Sequence, residues 1–215
     1  MKGYTHIIWD FNGTVYDDVE GGIRSANRLL SAHGLRPIAD VAEYRSLFGF
    51  PIIDYYRRLG FDFSKTSYDQ LAVEWVDYYM EETRESTAYV GALDAIDCFA
   101  LQGISQILLS ATERGMLLEQ LKSLDLDERF DEILGQDNIH AYGKGEIGLA
   151  WRREHPDAKV LFIGDTSHDA EVAEMMDADC ILLSCGHQPK VVLERCKCLA
   201  VVDHHRDLVA WLCEE

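Results

Sequence analysis

The hydrophobic positions of this 215-residue chain fall into short and nearly continuous runs. Five runs are clear and a sixth is possible: 5–9, 104–109, 159–163, 179–183, 198–202 and, as the sixth, 130–135. Runs of this length without polar alternation are typical of strands that are buried on both faces of a parallel sheet. We therefore predict strands at these positions.

Helical patterns lie between most of these runs, at 92–102, 113–124, 145–154, 167–177, 189–195 and 205–213. Strands that alternate with helices indicate βαβ units. The fold class predicted for this part of the chain is α/β, with a doubly wound parallel sheet and helices on both of its faces.

The segment 17–89 departs from that alternation. It contains four helical patterns in a row, separated by glycine, proline or polar turns, at 21–34, 40–49, 51–60 and 67–86. All four directly follow the first predicted strand. We therefore predict a helical cap at 17–89, inserted into an α/β core that is formed by residues 1–16 and 90–215.

The charge of the chain narrows the classes of partner. The formal net charge is −18, which argues against nucleic acid and against an anionic membrane surface, since both attract basic proteins. No uncharged run reaches 18 residues and no early stretch resembles a signal peptide. These features predict a cytoplasmic protein with no nucleic-acid or membrane partner.

The six cysteines are mostly scattered among apolar residues, and only Cys196 and Cys198 are close together. Ligand pairs of structural zinc sites are usually separated by two to four residues, whereas one residue separates these two. Reduced thiols in a cytoplasmic protein are therefore predicted, with a metal role for Cys196 and Cys198 as the alternative.

Polar side chains follow three of the predicted strands. Asp10 follows the first, Ser110 the second and Asp165 a later one, while Lys144 precedes a predicted helix. Because ligands of open parallel sheets bind outside the carboxyl ends of the strands, we expect these side chains to meet there. Carboxylates suit Mg²⁺, and lysine and serine suit phosphate oxygens. The pattern predicts a metal and phosphate site.

Each of these residues, taken singly, also has a purely structural explanation. Asp10 and Gly13 could form a turn, Asp165 and Asp169 could cap a helix, and Lys144 could be a solvated surface residue. Their order along the chain and their common position at strand ends favour the functional interpretation.

This order of residues resembles the four motifs of the haloacid dehalogenase superfamily. The motifs are carried by Asp10–Gly13–Thr14, by Ser110, by Lys144 and by "GDTSHD" at 164–169. The helical insertion after the first motif resembles the cap of the phosphoglycolate-phosphatase-like and β-phosphoglucomutase-like members. The resemblance extends over essentially the whole chain.

The resemblance implies a role for each matching residue. Asp10 would be the nucleophile that forms an aspartyl-phosphate, and the implied catalytic positions are Asp10, Asn12, Ser110 and Lys144. The implied Mg²⁺ ligands are Asp10, the backbone carbonyl of Asn12, Asp165 and Asp169. The implied phosphate-binding residues are Thr14, Ser110, Ala111 and Lys144. The predicted function is Mg²⁺-dependent hydrolysis of a small phosphorylated metabolite.

Asn12 is a departure from the family pattern. Phosphatases of the family usually have a second Asp here, which protonates the leaving alkoxide and then activates the attacking water. An amide cannot carry that proton, and general acid–base help is commonly worth about 10²–10⁴ in rate. We expect weak turnover of alkyl phosphates unless His168 or a cap residue takes over, while substrates with good leaving groups stay accessible.

Three other functions stay open at this point. The first is a catalytically impaired member that binds a phosphorylated ligand or a protein partner, which Asn12 favours. The second is phosphonate hydrolysis through a cap lysine, for which the cap offers only Lys65. The third is metal-free dehalogenation, against which Asp165 and Asp169 argue.

The predicted cap carries the features expected to choose the substrate. "FGFP" at 48–51 resembles the cap loop that reaches toward the substrate in related members. Tyr55 and Tyr56 follow it and are interpreted mainly as packing residues, whereas Arg57 or Arg58 could meet an anionic group of the substrate.

Overall fold

The computed structural model describes residues 3–137 and 143–213. The strands there are β1 (His6–Trp9), β2 (Ser105–Glu113), β3 (Glu132–Gln136), β4 (Val160–Gly164), β5 (Asp179–Leu183) and β6 (Ala200–Val202). The helices of the first half are α1 (Val19–Ala32), α2 (Val41–Leu47), α3 (Ile52–Arg58), α4 (Tyr68–Glu82) and α5 (Val90–Ala100). Those of the second half are α6 (Arg114–Ser123), α7 (Gly145–Glu154), α8 (Ser167–Met175), α9 (Lys190–Leu193) and α10 (His205–Cys213), with a 3₁₀ turn at Asp127–Arg129.

The six strands form one sheet in the order β3-β2-β1-β4-β5-β6, and every neighbouring pair is parallel. The chain builds outward from β1 in one direction and then returns to build outward from β4 in the other. The order of strands therefore reverses beside β1, which is where doubly wound sheets bind their ligands. The predicted α/β fold class is confirmed.

Both faces of the sheet are covered, which explains the nearly continuous hydrophobic runs. Ile7 and Trp9 of β1 belong to a cluster with α5, α6 and α10, while Ile8 belongs to a second cluster with α7, α8 and α9. Successive side chains of a strand point to opposite faces, so both positions must be apolar when both faces are packed.

Four helices, α1 to α4, lie between β1 and α5, as the pattern predicted. They share a hydrophobic cluster of their own, in which Leu29, Leu30 and Leu71 are completely buried. The two chain segments that lead to and from these helices are hydrogen-bonded to each other, because Asp17 N donates to Thr87 O and Tyr89 N donates to Val15 O, each at 2.9 Å. The division into two domains at these segments stays a prediction.

The strand β2 is longer than its hydrophobic run. Ser110 and Ala111 were expected after the strand, but they lie within β2, which continues to Glu113. The regular pairing with β3 stops at Leu109 and resumes, after a shift in register, at Glu113. Glu113 then accepts hydrogen bonds from Gly115 N and Met116 N and caps α6. The polar residues of this stretch are thus the irregular end of a strand.

None of the described helices is both long enough and apolar enough to cross a bilayer.

Candidate active site

Three buried carboxylates meet at the carboxyl ends of β1 and β4. Asp10 follows β1, Asp165 follows β4, and Asp169 lies in the first turn of α8. One oxygen of each lies within 4.8 Å of the others. Oxygen ligands at such spacing are those that a hard divalent cation such as Mg²⁺ prefers. The structure thus brings together three of the predicted metal-binding residues.

Lys144 enters the same cluster from the N-terminus of α7. Its side chain is only 2% exposed, and its Nζ lies 2.7 Å from Asp169 Oδ1, donates to Asp10 Oδ1 and lies 3.2 Å from Leu109 O. We call Asp10, Lys144, Asp165 and Asp169 the floor. Three carboxylates and one ammonium group give the ionised floor two net negative charges in a buried place. A divalent cation would neutralise that charge, so these residues fit a metal ion.

The pKa values of the floor carboxyls reflect this shortage of positive charge. Burial raises the pKa of Asp10 well above its usual range, although Lys144 opposes the rise. Burial also raises the pKa of Asp165 to about 6. The pKa of Asp169 is lowered instead, because the Lys144 ammonium outweighs the effect of burial. A metal ion beside Asp10 and Asp165 would favour their ionised forms.

Local hydrogen bonds hold the floor in place. Asp169 Oδ2 accepts from the backbone N–H groups of Asp165 and Thr166, at 3.1 Å and 2.9 Å, and Thr166 caps α8 in return. Thr14 Oγ1 donates to Asp165 Oδ1 at 3.1 Å. Thr14 was expected to bind phosphate; its side chain is completely buried here, and that role stays a prediction.

Gly13 allows the motif loop to approach the floor. It has a φ of 73°, in the left-handed region that favours glycine. A Cβ at this position would lie 2.4 Å from Asp165 Oδ2, closer than any two such atoms can approach. The glycine is therefore required both by the backbone conformation and by the packing.

Ser110 and Ala111 line the same cavity as Asp10 and Lys144. Ser110 Oγ accepts from Thr112 N and donates to Thr112 Oγ1, each at 3.0 Å. The structure therefore places the predicted phosphate-binding residues of β2 beside the floor, and their contact with phosphate stays a prediction.

The Asn12 amide is fully engaged. Its Nδ2 donates to Asp18 Oδ2 at 3.0 Å and to Tyr79 OH at 2.6 Å. Its Oδ1 accepts from Thr112 Oγ1 at 2.9 Å. An aspartate at position 12 would place an oxygen beside Asp18 Oδ2, where two ionised carboxylates repel each other. The surroundings of position 12 are thus built for an amide.

Asp18 is a buried carboxylate that the sequence did not single out. It is 1% exposed and accepts from Gly13 N at 2.8 Å and from Tyr79 OH at 2.6 Å. Burial alone would raise its pKa, but His187 and the hydrogen bonds from Tyr79 and Asn12 lower it. In the sequence, Asp18 is only the second of two adjacent aspartates. The folded chain distinguishes them, because Asp17 is exposed and Asp18 is buried.

His187 is the second residue that the sequence did not indicate. It lies after β5; its Nε2 is 3.2 Å from Asp18 Oδ1 and its Nδ1 is 2.9 Å from Tyr44 OH. Its backbone N donates to Asp165 Oδ2 at 2.6 Å. Although burial lowers the pKa of His187, Asp18 and other carboxylates raise it to about 9. At neutral pH the pair is a protonated histidine beside an ionised carboxylate.

The floor closes one side of a cavity of about 140 Å³. The other side comes from the cap. Its described aromatic residues that line the cavity are called the wall: Tyr44, Phe48, Phe50, Tyr55, Tyr56, Tyr68, Trp75 and Tyr79. Phe48 and Phe50 come from the "FGFP" segment, and Phe50 stacks on His168 with 4.5 Å between ring centroids. The predicted cap loop therefore reaches the cavity.

The two arginines that were expected to meet an anionic group are occupied elsewhere. Arg57 forms an ion pair with Asp54, and Arg58 Nε donates to Leu47 O at 2.6 Å. Neither is among the described residues that line the cavity.

The thiols of Cys98, Cys180, Cys185, Cys196 and Cys198 are free.

Comparisons with known proteins agree with this geometry. A family model described as haloacid dehalogenase-like hydrolase matches residues 7–183. The phosphoglycolate phosphatase of Pseudomonas savastanoi is 22% identical over 213 residues, which cover 94% of this chain and 78% of that protein. The phosphoglycolate phosphatase of Pseudomonas putida is 26% identical over 194 residues, which cover 84% of this chain and 70% of that protein.

Proteins of known structure share this fold. A haloacid dehalogenase-like hydrolase of known structure from Streptococcus pneumoniae superposes with a TM-score of 0.84 at 16% identity, covering 99% of this chain and 100% of that chain. The matched residues 7–183 include every floor residue and the whole cap. The chain therefore belongs to the haloacid dehalogenase-like hydrolases.

Proposed function

We propose that the protein is a Mg²⁺-dependent phosphatase that hydrolyses a small phosphorylated metabolite through an aspartyl-phosphate on Asp10. The observation that carries this proposal is the floor, where Asp10 lies with two more buried carboxylates and one buried lysine at the carboxyl ends of β1 and β4. Phosphatase activity is also the activity named for both relatives from Pseudomonas.

In the first step, an oxygen of Asp10 attacks phosphorus. The bond between phosphorus and the leaving oxygen breaks, and the electron pair departs with that oxygen. Lys144, Ser110 and the backbone N–H of Ala111 hold the phosphoryl oxygens and offset their charge in the transition state. A bound Mg²⁺ would supply Lewis-acid help to the phosphoryl group and favour the ionised form of Asp10. It would be held by Asp10, Asp165, Asp169 and the carbonyl of Asn12.

Asn12 makes the proton transfers of this reaction difficult. Its amide gives no proton to the leaving oxygen and takes none from the water that attacks the aspartyl-phosphate. We expect slow turnover of alkyl phosphates and accumulation of phosphoenzyme. Tyr79 is the cap residue that contacts Asn12, and burial with nearby Asp18 raises its pKa, so it stays protonated at neutral pH. Its hydroxyl accepts from Asn12 Nδ2 and donates to Asp18 Oδ2, each at 2.6 Å, so it is not a free base.

The first experiment compares three proteins in the presence of Mg²⁺: wild type, Asp10→Asn and Asn12→Asp. The substrates are an activated aryl phosphate and a panel of metabolite phosphates that includes phosphoglycolate. We expect wild-type turnover that Asp10→Asn abolishes, and phosphoenzyme that a stopped reaction traps on Asp10. Equal activity of wild type and Asp10→Asn would contradict the proposal.

The structure suggests a cleaner way to restore an acid at position 12. Asn12→Asp alone places a carboxylate beside Asp18, 3.0 Å from the present amide nitrogen, so the new acid would be perturbed. The exchange Asn12→Asp with Asp18→Asn keeps one carboxylate and one amide. We expect this double variant to hydrolyse alkyl phosphates better than either single variant. Asp17→Asn, which changes an exposed neighbour, is the matched control.

A catalytically impaired member is the second candidate function, and Asn12 is the observation that favours it. Such a protein would bind a phosphorylated ligand or a protein partner without turnover. Wild type that is inert on every substrate, together with a gain of activity in the exchange variant, would support this candidate over the phosphatase.

A further inference from the structure

We propose that the leaving group of the substrate is an uncharged aromatic ring, so that the protein acts on aryl phosphate monoesters and discriminates against substrates with a second anionic group. This inference rests on the proposed function and names the substrate class of the same site. It follows from the charge of the cavity, its lining, its volume and the residue at position 12.

The positive charges of the described cavity lining are already paired. Among the described residues that line the cavity, the cationic or protonatable side chains are Lys144, His168 and His187. Lys144 is paired with Asp10 and Asp169, and His187 with Asp18. His168 Nδ1 lies 3.5 Å from Glu171 Oε2, and its ring stacks on Phe50. A carboxylate on the leaving group would therefore lose its hydration and find no free cation in the described lining.

Neither Arg45 nor Arg58 is among the described residues that line the cavity. Arg45 donates to the carbonyl of Gly186 at 2.8 Å, and Arg58 donates to the carbonyl of Leu47. The lining contains further acidic groups, Asp18 and Glu113, besides the three floor carboxylates. A substrate with a carboxylate next to its phosphate, such as phosphoglycolate, is therefore poorly matched to this cavity.

The cap side of the cavity is lined by aromatic and aliphatic side chains. The wall offers aromatic faces and edges, and Trp75 stacks on Tyr79 with 4.6 Å between ring centroids. Ile52, Ala72 and Val76 add aliphatic surface between them. Aromatic rings in offset or edge-to-face contact stabilise each other beyond the contribution of their buried area. An aromatic leaving group would be held by such contacts.

The cavity is small. The cavity of about 140 Å³ is close to the roughly 150 Å³ of an apolar cavity that accepts benzene in another protein. Part of the volume is needed for the phosphoryl group. The cavity therefore has room for a leaving group of no more than about one ring.

An aromatic leaving group also suits the reaction at Asp10. When Asp10 forms its bond to phosphorus, the electron pair of the breaking bond leaves on the phenol oxygen. A phenol has a pKa of about 10, whereas the pKa of a simple alcohol is close to that of water, about 15.7, so a phenolate leaves far more readily than an alkoxide. An aryl substrate thus removes the need for the acid that Asn12 cannot supply. Water then attacks the phosphorus of the aspartyl-phosphate and gives up its proton to solvent. The bond between phosphorus and the Asp10 oxygen breaks, which releases inorganic phosphate and restores the Asp10 carboxylate.

The kinetic test uses matched substrates. Phenyl phosphate, 4-carboxyphenyl phosphate and phosphoglycolate differ in ring and charge, while benzyl phosphate keeps the ring but has an alkyl leaving group. We expect kcat/KM for phenyl phosphate to exceed that for 4-carboxyphenyl phosphate and for phosphoglycolate by at least about tenfold. Benzyl phosphate should compete with phenyl phosphate but turn over slowly. Phosphoglycolate turnover equal to that of phenyl phosphate would overturn the inference.

Acetyl phosphate separates failure of this inference from failure of the proposed function. Its leaving group is good but small and has no ring. If the wild type hydrolyses acetyl phosphate in an Asp10-dependent manner without a preference for phenyl phosphate over phosphoglycolate, the phosphatase proposal stands and the aryl inference fails. If neither acetyl nor phenyl phosphate is hydrolysed, binding decides: phenylphosphonate that binds at least about tenfold more tightly than phosphonoacetate supports the inference, and the reverse order overturns it.

A gain-of-function variant completes the test. Val76→Lys places a cation in the described lining, and we expect it to raise the ratio of phosphoglycolate to phenyl phosphate turnover by at least about tenfold. Val73→Lys is the matched control, because Val73 lies on the same helix, is 49% exposed and is not among the described lining residues. An unchanged ratio in a folded Val76→Lys protein would contradict the inferred role of charge.

Discussion

The floor and the wall of the cavity face each other but differ in origin and in chemistry. The floor is charged, comes from the α/β core, and is held by the ends of strands and the first turns of helices. The wall is aromatic and comes from the helices of the cap and from the loop between α2 and α3. Asn12 lies where they meet, since it contacts Thr112 of the core and Tyr79 of the cap.

This difference separates the tasks of the two regions. The floor offers groups that suit one reaction at phosphorus whatever the leaving group is, so changes there should affect all substrates alike. The wall meets the leaving group, so changes there should affect the choice of substrate. The two regions should also respond differently to loss of a polar group, because the buried carboxylates of the floor depend on one lysine, whereas the wall is aromatic.

Removal of metal should have the largest effect. Treatment with EDTA is expected to abolish hydrolysis of phenyl, acetyl and alkyl phosphates together, because the floor needs a cation for its two excess negative charges. Added Mg²⁺ should restore activity and raise the melting temperature, as a ligand that binds the native state must. Activity that survives EDTA on any one substrate would break the division between floor and wall.

Lys144→Met should reduce stability more than any change in the wall. It removes the ammonium group between Asp10 and Asp169 and leaves buried carboxylates without their partner. Loss of one member of a buried ion pair typically costs about 3–5 kcal/mol. The measurement is urea unfolding with and without Mg²⁺, which should offset part of the loss. Lys122→Met, at an exposed position of α6, should unfold like the wild type.

The pair of His187 and Asp18 predicts a pH dependence of stability. The pKa of His187 is raised from 6.5 to about 9 in the folded state, so its contribution is complete below pH 6.5 and is lost as the pH rises to 9. The loss is on the order of 3 kcal/mol, from 1.36 kcal/mol per pKa unit.

Urea unfolding at pH 6.5 and pH 9 measures this dependence. His187→Gln should be less stable than wild type at pH 6.5. Its free energy of unfolding should differ much less between pH 6.5 and pH 9 than that of wild type. His204→Gln, at an exposed histidine, is the control and should keep it. The same slope in wild type and His187→Gln would show that another group titrates.

Tyr55→Phe should have the smallest effect and the opposite sign. The Tyr55 hydroxyl is buried and has no hydrogen-bond partner among the described residues. Burial of an unsatisfied polar group costs about 1–3 kcal/mol, so its removal is expected to leave stability unchanged or to raise it slightly. A thermal melt of the variant checks this. A fall of several kcal/mol would reveal a polar role for the wall and would weaken its contrast with the floor.

Much of the fold could be predicted from the sequence because its signals are local. Hydrophobic runs in 5–9, 159–163 and 179–183 correspond to β1, β4 and β5, since strands buried on both faces admit few polar residues. The end of β2 could not be predicted in the same way. Ser110 is polar and predicts a loop, but it lies within the strand, between the paired residues Leu109 and Glu113.

The site was predicted where its residues follow strands and was missed where they meet across the fold. Asp10 and Asp165 were found because the carboxyl ends of parallel strands converge, and Asp169 was implied by the resemblance of 164–169 to a family motif. Asp18 and His187 were not, because they are 169 positions apart and neither has a sequence signal that distinguishes it from its neighbours. The contact forms only when the loop after β5 reaches the start of the cap.

The sequence by itself therefore determined the α/β fold, the four-helix insertion and the charged groups at the strand ends. Each of these follows from periodicity or from the position of a residue beside its own strand. Only the tertiary structure decided that Asn12 is held by Asp18, Tyr79 and Thr112, and that the cap presents aromatic rings and no free cation in the described lining. The physical reason is that burial and pairing of charges depend on which distant segments come into contact.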